Sequence, residues 1–376
     1  MRAIKILLIL IFISISCAKI RITPDLFTSH SSPNWEMYGG NPARTNVYPG
    51  DIALPLKLIW KYRASSAIGK TMLVVNGVVY FTTLDGRLYA LNIKTGEKIG
   101  HKKLEMDATC AYQDTSLFIA YRYGNLTLFK YDVNRARTAW KIDAGDISSE
   151  PLVLESHIII TALYKHIDLY NSADGVRIWQ TKIDDQIRSS PACIQGVVVF
   201  GCDDGAVYAV KEINGEIIWK FKTDASVQAT PVLKDSVAYV GSSDKFFYAI
   251  HLKTGKLIWD FETDGQILHP AAVNDSLVIF GSTDSHLYCL NRFSGQEIWS
   301  FEAGSVISTS PLICNDNVFF GSLDHHYYGI NLTTGDEMWK YKTKGRVMTA
   351  PVVWGHYLIG AAENDIVYAF LPEEEK

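Results

Sequence analysis

A phrase that recurs about every 40 residues constrains this chain more than any other feature of its sequence. "DGAVYAVKEINGEIIWKFKTD" starts at Asp204, and close variants of it start at Asp244, Asp284 and Asp324. Tryptophans share the period, at Trp60, Trp140, Trp179, Trp219, Trp259, Trp299 and Trp339. A period of this length with several short strands per unit is typical of β-propeller blades.

Each repeat divides into four predicted strands. In the unit from Ser190 to Lys222, the strand-like runs are "SPACI", "VVVFG", "AVYAVKE" and "EIIWKFK". Asp204-Gly205 lies between the second and third of these runs, and Asn214-Gly215 lies between the third and fourth. Such pairs favour tight hairpin turns because glycine and asparagine tolerate positive φ. Helix signals are nearly absent, so the sequence predicts an all-β chain of four-stranded antiparallel blades.

The two ends of the repeat region complement each other. Gly100 fills the one missing tryptophan position, which gives eight positions in register. After Ala350 the chain supplies three strands and stops, whereas Leu56 to Ala64 is an outer strand without partners. We therefore predict an eight-bladed propeller over residues 30–371, its last blade closed by an N-terminal strand, with an acidic tail at 372–376.

The recurring tryptophan has a structural interpretation. A blade must bury both faces against its neighbours, and a wide indole on the outer strand can cover the next blade, contributing about 2–3 kcal/mol. Gly100 removes this indole from blade 1, and in blade 2 Ala136 replaces a turn glycine. Blades 1 and 2 are therefore expected to be the loosest.

The N-terminus has the composition of a secretory signal. Arg2 and Lys5 precede an apolar run that is too short to span a bilayer, and small residues lead to Cys17. We predict a lipoprotein-type signal peptide at 1–16, lipidation of Cys17 and a tether at 17–29, since Cys17 resembles the cysteine of a bacterial lipobox. A plain cleavable signal is the alternative. Ala18 follows this cysteine, and a residue other than aspartate at this position resembles the sorting signal of outer-membrane lipoproteins.

Several other features have structural rather than chemical interpretations. The formal net charge of −4 gives no reason to expect a nucleic-acid partner. The five cysteines after Cys17 lack framework spacing, so we expect buried free thiols. His325 and His326 are neighbours in a strand and point to opposite faces, so no metal site is predicted. The aspartate that opens each phrase is expected to form a turn, and no catalytic residue is predicted.

The phrase resembles the tryptophan-docking motif of pyrroloquinoline-quinone (PQQ) enzymes, Ala-x-Asp-x-x-Thr-Gly-x-x-x-Trp. Ala249, Thr254, Gly255 and Trp259 match it, and residues 34–50 resemble the N-terminal segment of PQQ-like propellers. This resemblance implies that the turn glycines dock the tryptophans; these are Gly96, Gly175, Gly215, Gly255, Gly295 and Gly335.

The PQQ-like group includes quinoprotein dehydrogenases and BamB-type lipoproteins, which are scaffolds of outer-membrane β-barrel assembly. A dehydrogenase would need PQQ, Ca²⁺ held by carboxylate and amide oxygens, and a catalytic aspartate. The short segments between blades instead carry other side chains toward the channel mouth: Arg188, Gln228, His269, Ser308 and Arg346. We therefore expect neither PQQ nor Ca²⁺.

The resulting hypothesis is a non-enzymatic, lipid-anchored envelope propeller that binds a protein partner. Size, the lipobox-like cysteine and short loops resemble the BamB type, which implies an outer-membrane or periplasmic location and a barrel-assembly subunit as partner. Arg188, Gln228, His269 and Arg346 are the candidate partner-binding residues, and a monomer within a complex is expected. The alternatives are a PQQ-binding oxidoreductase or sensor, and a propeller that binds glycans or peptides.

Overall fold

Eight β-sheets follow one another along the chain and around a central channel, in a computed structural model that describes residues 20, 32–122, 127–147 and 149–373. Each sheet has four antiparallel strands, and one sheet has a fifth, parallel strand. The prediction of an eight-bladed propeller is confirmed. Within the described residues, the structure contains no helix long and apolar enough to cross a membrane. The predicted signal peptide and Cys17 lie outside the described residues.

The first half of the chain contains the strands of blades 1 to 4. Two strands precede blade 1, namely β1 (Val47–Tyr48) and β2 (Leu56–Arg63). Blade 1 contains β3 (Ile68–Val75), β4 (Val78–Thr83), β5 (Arg87–Asn92) and β6 (Lys98–Lys103). Blade 2 contains β7 (Ala108–Gln113), β8 (Ser116–Tyr121), β9 (Leu128–Asp132) and β10 (Arg137–Ile142). Blade 3 contains β11 (Leu152–Val153), β12 (His157–Ala162), β13 (His166–Asn171) and β14 (Arg177–Lys182). Blade 4 contains β15 (Ala192–Ile194), β16 (Val197–Cys202), β17 (Ala206–Lys211) and β18 (Ile217–Lys222).

The second half repeats this arrangement. Blade 5 contains β19 (Val232–Lys234), β20 (Val237–Gly241), β21 (Phe246–His251) and β22 (Leu257–Glu262). Blade 6 contains β23 (Ala272–Val273), β24 (Leu277–Gly281), β25 (His286–Asn291) and β26 (Glu297–Glu302). Blade 7 contains β27 (Leu312–Cys314), β28 (Asn317–Gly321), β29 (His326–Asn331) and β30 (Glu337–Lys342). Blade 8 contains β31 (Thr349–Trp354), β32 (Tyr357–Ala362) and β33 (Ile366–Pro372).

The ring is closed by pairing its two ends. Strand β2 pairs antiparallel with β33, which makes β2 the outer strand of blade 8. Trp60 of β2 lies opposite Ala369. The predicted closure by an N-terminal strand is therefore confirmed, and β33 has a partner on each side.

Indole rings cross the seams between neighbouring blades. The ring nitrogen of each docking tryptophan donates to a backbone carbonyl of the next blade, as Trp219 does to Leu252 at 2.7 Å and Trp60 does to Ile93 at 2.7 Å. The same bond is made by Trp140, Trp179, Trp259, Trp299 and Trp339. Six of these rings also lie against a turn glycine of the next blade, where an added Cβ would come within 3.0 Å of the ring: Gly96, Gly175, Gly215, Gly255, Gly295 and Gly335. Each seam tryptophan thus satisfies its N–H while packing against backbone.

The outer strand of every blade has a register shift at one place. In blade 5, Ala249 lies opposite Trp259 and Ile250 lies opposite Leu257, so Ile258 is left without a partner. The same shift occurs in the other blades, including blade 1, which lacks the tryptophan. A bulge twists a strand and interrupts its hydrogen-bond ladder, which makes these outer edges poor templates for pairing with another sheet.

The five cysteines in the described part of the chain are buried and free, as predicted: Cys110, Cys193, Cys202, Cys289 and Cys314. The phrase-opening aspartates do form turns. Asp204 accepts the backbone N–H of Ala206 at 3.0 Å, and Asp244 accepts that of Phe246 at 3.0 Å. Their second oxygens accept the hydroxyls of Tyr208 and Tyr248, both at 2.8 Å, so the spacing Asp-x-x-x-Tyr is a structural unit of the blade.

Candidate functional site

The channel is closed at one end by the segment of residues 35–48, here called the floor segment. It forms one backbone hydrogen bond after another with the inner strands: Tyr112 N–H to Glu36 in blade 2, Cys193 N–H to Pro42 in blade 4, and Leu233 N–H to Ala43 in blade 5. Val273 of blade 6 and Ile313 of blade 7 continue the series, and β1 then pairs parallel with β27. The floor segment thus makes the channel a blind cup.

Arg44 lies at the centre of the floor and is fully buried. Its guanidinium donates to the carbonyls of Pro191 at 3.1 Å and Pro151 at 3.3 Å, and also to the carbonyls of Glu150 and Tyr38. Burial lowers the pKa of Arg44 to about 10, against the opposing charge of Glu150. The side chain therefore remains charged at neutral pH, and it links blades 3 and 4 to the floor segment.

Two adjoining cavities of about 370 and 270 Å³ form the cup above this floor. Both are lined by Lys70, Arg122 and Glu150. Tyr38 lies at the base of the smaller cavity and shares a hydrogen bond of 2.9 Å with Ser310. Burial, and next the charge of Glu150, raise the pKa of the Tyr38 hydroxyl, so this group is a neutral donor or acceptor.

The candidate partner-binding residues lie around one opening. Arg188, Gln228 and His269 line the smaller cavity, and Arg346 lines the larger one. Arg188 donates to Asp203 at 2.7 Å and to Gln186 at 3.2 Å, while its side chain stays 46% exposed. The structure therefore brings together residues that are far apart in the sequence.

Arg346 and Arg122 are held in the same way as Arg188. Arg346 makes two bonds to the carboxylate of Glu363, at 2.6 and 2.7 Å, and this contact lowers the pKa of Glu363. Arg122 pairs with Asp107 at 3.1 Å. Three arginines at the cup thus have acidic partners that fix their direction, which reduces the entropy lost when a partner binds them.

His269 differs from the other three candidates because it is half-buried inside the cup. Burial, together with the positive charge of Lys70, lowers the pKa of His269 to about 4. The imidazole is therefore neutral at physiological pH and can both donate and accept a hydrogen bond.

One expectation about the mouth is wrong. Ser308 was expected to point to the channel mouth, yet it is 7% exposed and its hydroxyl donates to the carbonyl of Val347. It joins blade 7 to the segment that leads into blade 8. A hydroxyl is short enough to bond a neighbouring carbonyl within the seam, which the longer arginine and glutamine side chains in the corresponding segments do not do.

Lys70 and Glu150 are central residues that the sequence reasoning missed. Both occupy the position just before the repeated proline or its equivalent, as do Ser190, Thr230 and His269. The carboxylate of Glu150 accepts bonds from Thr71, at 3.1 Å, and from Ser190. The 40-residue repeat could have predicted these two residues, because this one position lines the cup in blade after blade.

Comparison with known proteins agrees with the architecture. An eight-bladed PQQ-like β-propeller with a blind cup is the class that the fold and site define. A family model described as "Beta-alanine-activating enzyme, beta-propeller" matches residues 147–370, and one described as "Outer membrane protein assembly factor BamB" matches residues 56–103. The chain belongs to the first of these families, a PQQ-like β-propeller family related to BamB.

Curated relatives fall in two functional groups. The chain is 25% identical over 191 residues to a 1-butanol dehydrogenase (cytochrome c) of Thauera butanivorans, a match that covers 47% of this chain and 23% of the relative. It is 23% identical over 168 residues to outer membrane protein assembly factor BamB of Escherichia coli, covering 41% of this chain and 42% of the relative. The matched part is thus less than half of either relative.

Solved structures show the same division. BamB from Moraxella catarrhalis superposes with a TM-score of 0.72 at 18% identity, over 84% of this chain and 100% of that one. Quinohemoprotein alcohol dehydrogenase from Comamonas testosteroni gives 0.77 at 15% identity, over 95% and 84%. These similarities concern the fold alone.

Proposed function

We propose that this protein is a non-enzymatic envelope scaffold that binds a protein partner at the channel mouth, in the manner of a BamB-type assembly factor, and that Cys17 carries its lipid anchor. The observation that carries the proposal is that two arginines at the mouth are both solvent-exposed and held by ion pairs. Arg188 and Arg346 are half-exposed, yet an acidic neighbour fixes each. Pre-ordered, accessible guanidinium groups are well suited to anchor a protein interface.

The carboxylates of the cup support binding rather than redox chemistry. PQQ with Ca²⁺ would need free carboxylate and amide oxygens to coordinate the ion. Glu150 is already bonded to Thr71 and Ser190, Asp107 to Arg122, and Glu363 to Arg346. Among the described residues, no three His, Cys, Asp or Glu side chains gather at one point. These contacts support a scaffold over a quinoprotein centre.

The test of the scaffold is capture of a partner from detergent-solubilised membranes. We expect the tagged full-length protein to recover a barrel-assembly subunit, and Arg188→Glu to recover much less of it. Lys253→Glu is the matched control, because Lys253 lies in an exposed turn between β21 and β22, away from the cup. Capture of no barrel-assembly subunit would count against this function, and equal capture by both variants would remove Arg188 from the interface.

A separate measurement tests the anchor. Metabolic labelling with palmitate is expected to mark the wild-type protein and not Cys17→Ala, and globomycin should cause the unprocessed precursor to accumulate. Unlabelled wild-type protein would refute the lipid anchor while leaving the partner site open.

The quinoprotein relatives make PQQ binding the second candidate. The observation that favours this candidate is the similarity to the Thauera butanivorans dehydrogenase. Titration of the full-length protein with PQQ and Ca²⁺ decides it: on the scaffold proposal the quinone absorbance stays unchanged and no dye is reduced. A saturable spectral shift that Lys70→Ala weakens would favour the alternative.

A further inference from the structure

The outer strands of the propeller separate into a basic part and an acidic part. Around the ring, the outer strands of blades 8, 1, 2, 3 and 4 are consecutive, and they are β2, β6, β10, β14 and β18. These five strands contain twelve lysines and arginines and no acidic residue: Lys57, Lys61, Arg63, Lys98, Lys102, Lys103, Arg137, Lys141, Arg177, Lys182, Lys220 and Lys222. We call them the basic arc.

The acidic part lies across the ring. Strands β22 and β26 of blades 5 and 6 contain four acidic residues and no basic one: Asp260, Glu262, Glu297 and Glu302. Strand β30 of blade 7 is mixed, with Glu337, Lys340 and Lys342. The chain as a whole has a net charge of −4, so the basic arc is not a consequence of composition.

Protection of exposed sheet edges does not explain this separation. Charged side chains on an edge strand discourage pairing with another sheet, and either sign serves that purpose. Blades 5 and 6 achieve it with carboxylates, and every outer strand also has a bulge. The clustering of a single sign over five neighbouring blades therefore needs a second cause.

The position of Ile20 indicates what the basic arc faces. Ile20 is fully buried in the apolar cluster formed by blades 1 and 2, and its carbonyl accepts the hydroxyl of Tyr131 at 3.0 Å. This is the seam where Gly100 replaces the tryptophan. Ile20 therefore lies between blades 1 and 2, within the basic arc, and in the sequence it closely follows the apolar run that ends near Cys17.

We infer that the basic arc is a docking surface for an anionic lipid bilayer, with the outer strands of blades 1, 2 and 3 in contact and blades 5 and 6 turned away. An N-terminus that inserts in a membrane would bring this part of the rim to the lipid surface. Each lysine or arginine near an anionic surface adds to the attraction, and this contribution decays within about 10 Å in salt. The charge separation thus sets the orientation of the disk.

Binding to lipid vesicles tests this inference with the full-length protein. The variant Lys98→Ser, Lys103→Ser, Arg137→Ser and Lys182→Ser removes four exposed charges from blades 1 to 3. The control variant removes four exposed lysines elsewhere, with Lys245, Lys253, Lys256 and Lys344 changed to serine. Both variants have the same net charge, and circular dichroism and thermal unfolding verify that both fold.

Co-sedimentation is measured with vesicles that contain phosphatidylglycerol and with vesicles of phosphatidylcholine alone. The N-terminal segment, with Arg2 and Lys5, is the same in all three proteins. A difference between the proteins in their preference for phosphatidylglycerol therefore reports the rim. We expect wild type and control to prefer phosphatidylglycerol, and the arc variant to lose this preference by at least about tenfold in partition. Added salt should weaken the preference of the wild type.

Two results would overturn the inference. If the arc variant and the control variant lose the preference for phosphatidylglycerol equally, net charge acts without a specific surface. An unchanged vesicle preference in the arc variant, with loss of binding to polyglutamate, would show that the basic arc recognises an acidic protein instead of lipid.

Discussion

Replacing Trp219 by alanine tests the energetic role of the seam indoles. The indole is 8% exposed, its N–H donates to Leu252 at 2.7 Å, and its ring lies against Gly255. Losing the buried ring costs about 2–3 kcal/mol, and leaving the Leu252 carbonyl without its donor costs about 1–2 kcal/mol more. We therefore expect Trp219→Ala to lower the free energy of unfolding by about 4 kcal/mol, within the range measured for buried tryptophans.

Trp140 is the matched control for Trp219. It occupies the same position in blade 2, but it is only half-buried and its hydrogen bond to Ser172 is 3.3 Å long. Trp140→Ala should cost about 2 kcal/mol, since less area is lost and the bond is weaker. Urea unfolding followed by far-ultraviolet circular dichroism measures both variants without depending on indole fluorescence. Equal losses, or a loss below about 1 kcal/mol for Trp219→Ala, would refute the reasoning.

Three further predictions concern the irregular seam, the cup and the thiols. Gly100→Trp should destabilise the wild type but cost less beside Ala136→Gly, because Ala136 has a positive φ of 52° where six other seams have glycine. A double-mutant cycle in urea that shows no coupling would contradict this. The pKa of His269 in the folded protein, about 4, lies below the value of 6.5 in the unfolded chain, so the unfolded state binds more protons between these two pH values. The free energy of unfolding should therefore fall as the pH drops through this window, by up to about 3 kcal/mol from this group. His269→Gln should flatten the dependence of the urea midpoint on pH between 4 and 6.5, and an unchanged dependence would contradict the assignment. Burial raises to about 12 the pKa of five thiols, those of Cys110, Cys193, Cys202, Cys289 and Cys314. A thiol reagent at pH 8 should therefore modify them only after unfolding, and rapid modification of the folded protein would contradict their burial.

The ring could be predicted from the sequence because each blade repeats the same local signals. Turn pairs such as Asn214-Gly215 fix the hairpins, and tryptophans fix the register from one blade to the next. The bulge before each tryptophan could not be predicted. Ile258 differs from its neighbours only by lacking a cross-strand partner, and that depends on how the twisted outer strand pairs with the strand beside it.

The site was predictable only in part. Arg188 and Arg346 were found because they lie in the short segments between blades, which a propeller places at the channel mouth. Lys70 and Glu150 were missed, although they share the position before the repeated proline. Arg44 could not have been placed from the sequence, since its role depends on carbonyls of blades 3 and 4 that converge only when the ring is closed.

The two seams that lack a complete tryptophan–glycine pair are both completed by the N-terminal part of the chain. In the seam between blades 7 and 8, Trp339 donates to Leu56, the first residue of β2, because β2 comes from the N-terminal part of the chain and no hairpin turn joins it to β33. In the seam between blades 1 and 2, Ile20 is buried where no indole exists. The floor segment joins the inner strands between these points. Ile20 and residues 32–63 therefore join a ring whose repeats alone leave two seams open. The repeat pattern is interrupted at the two places where these residues make an indole or a turn glycine unnecessary.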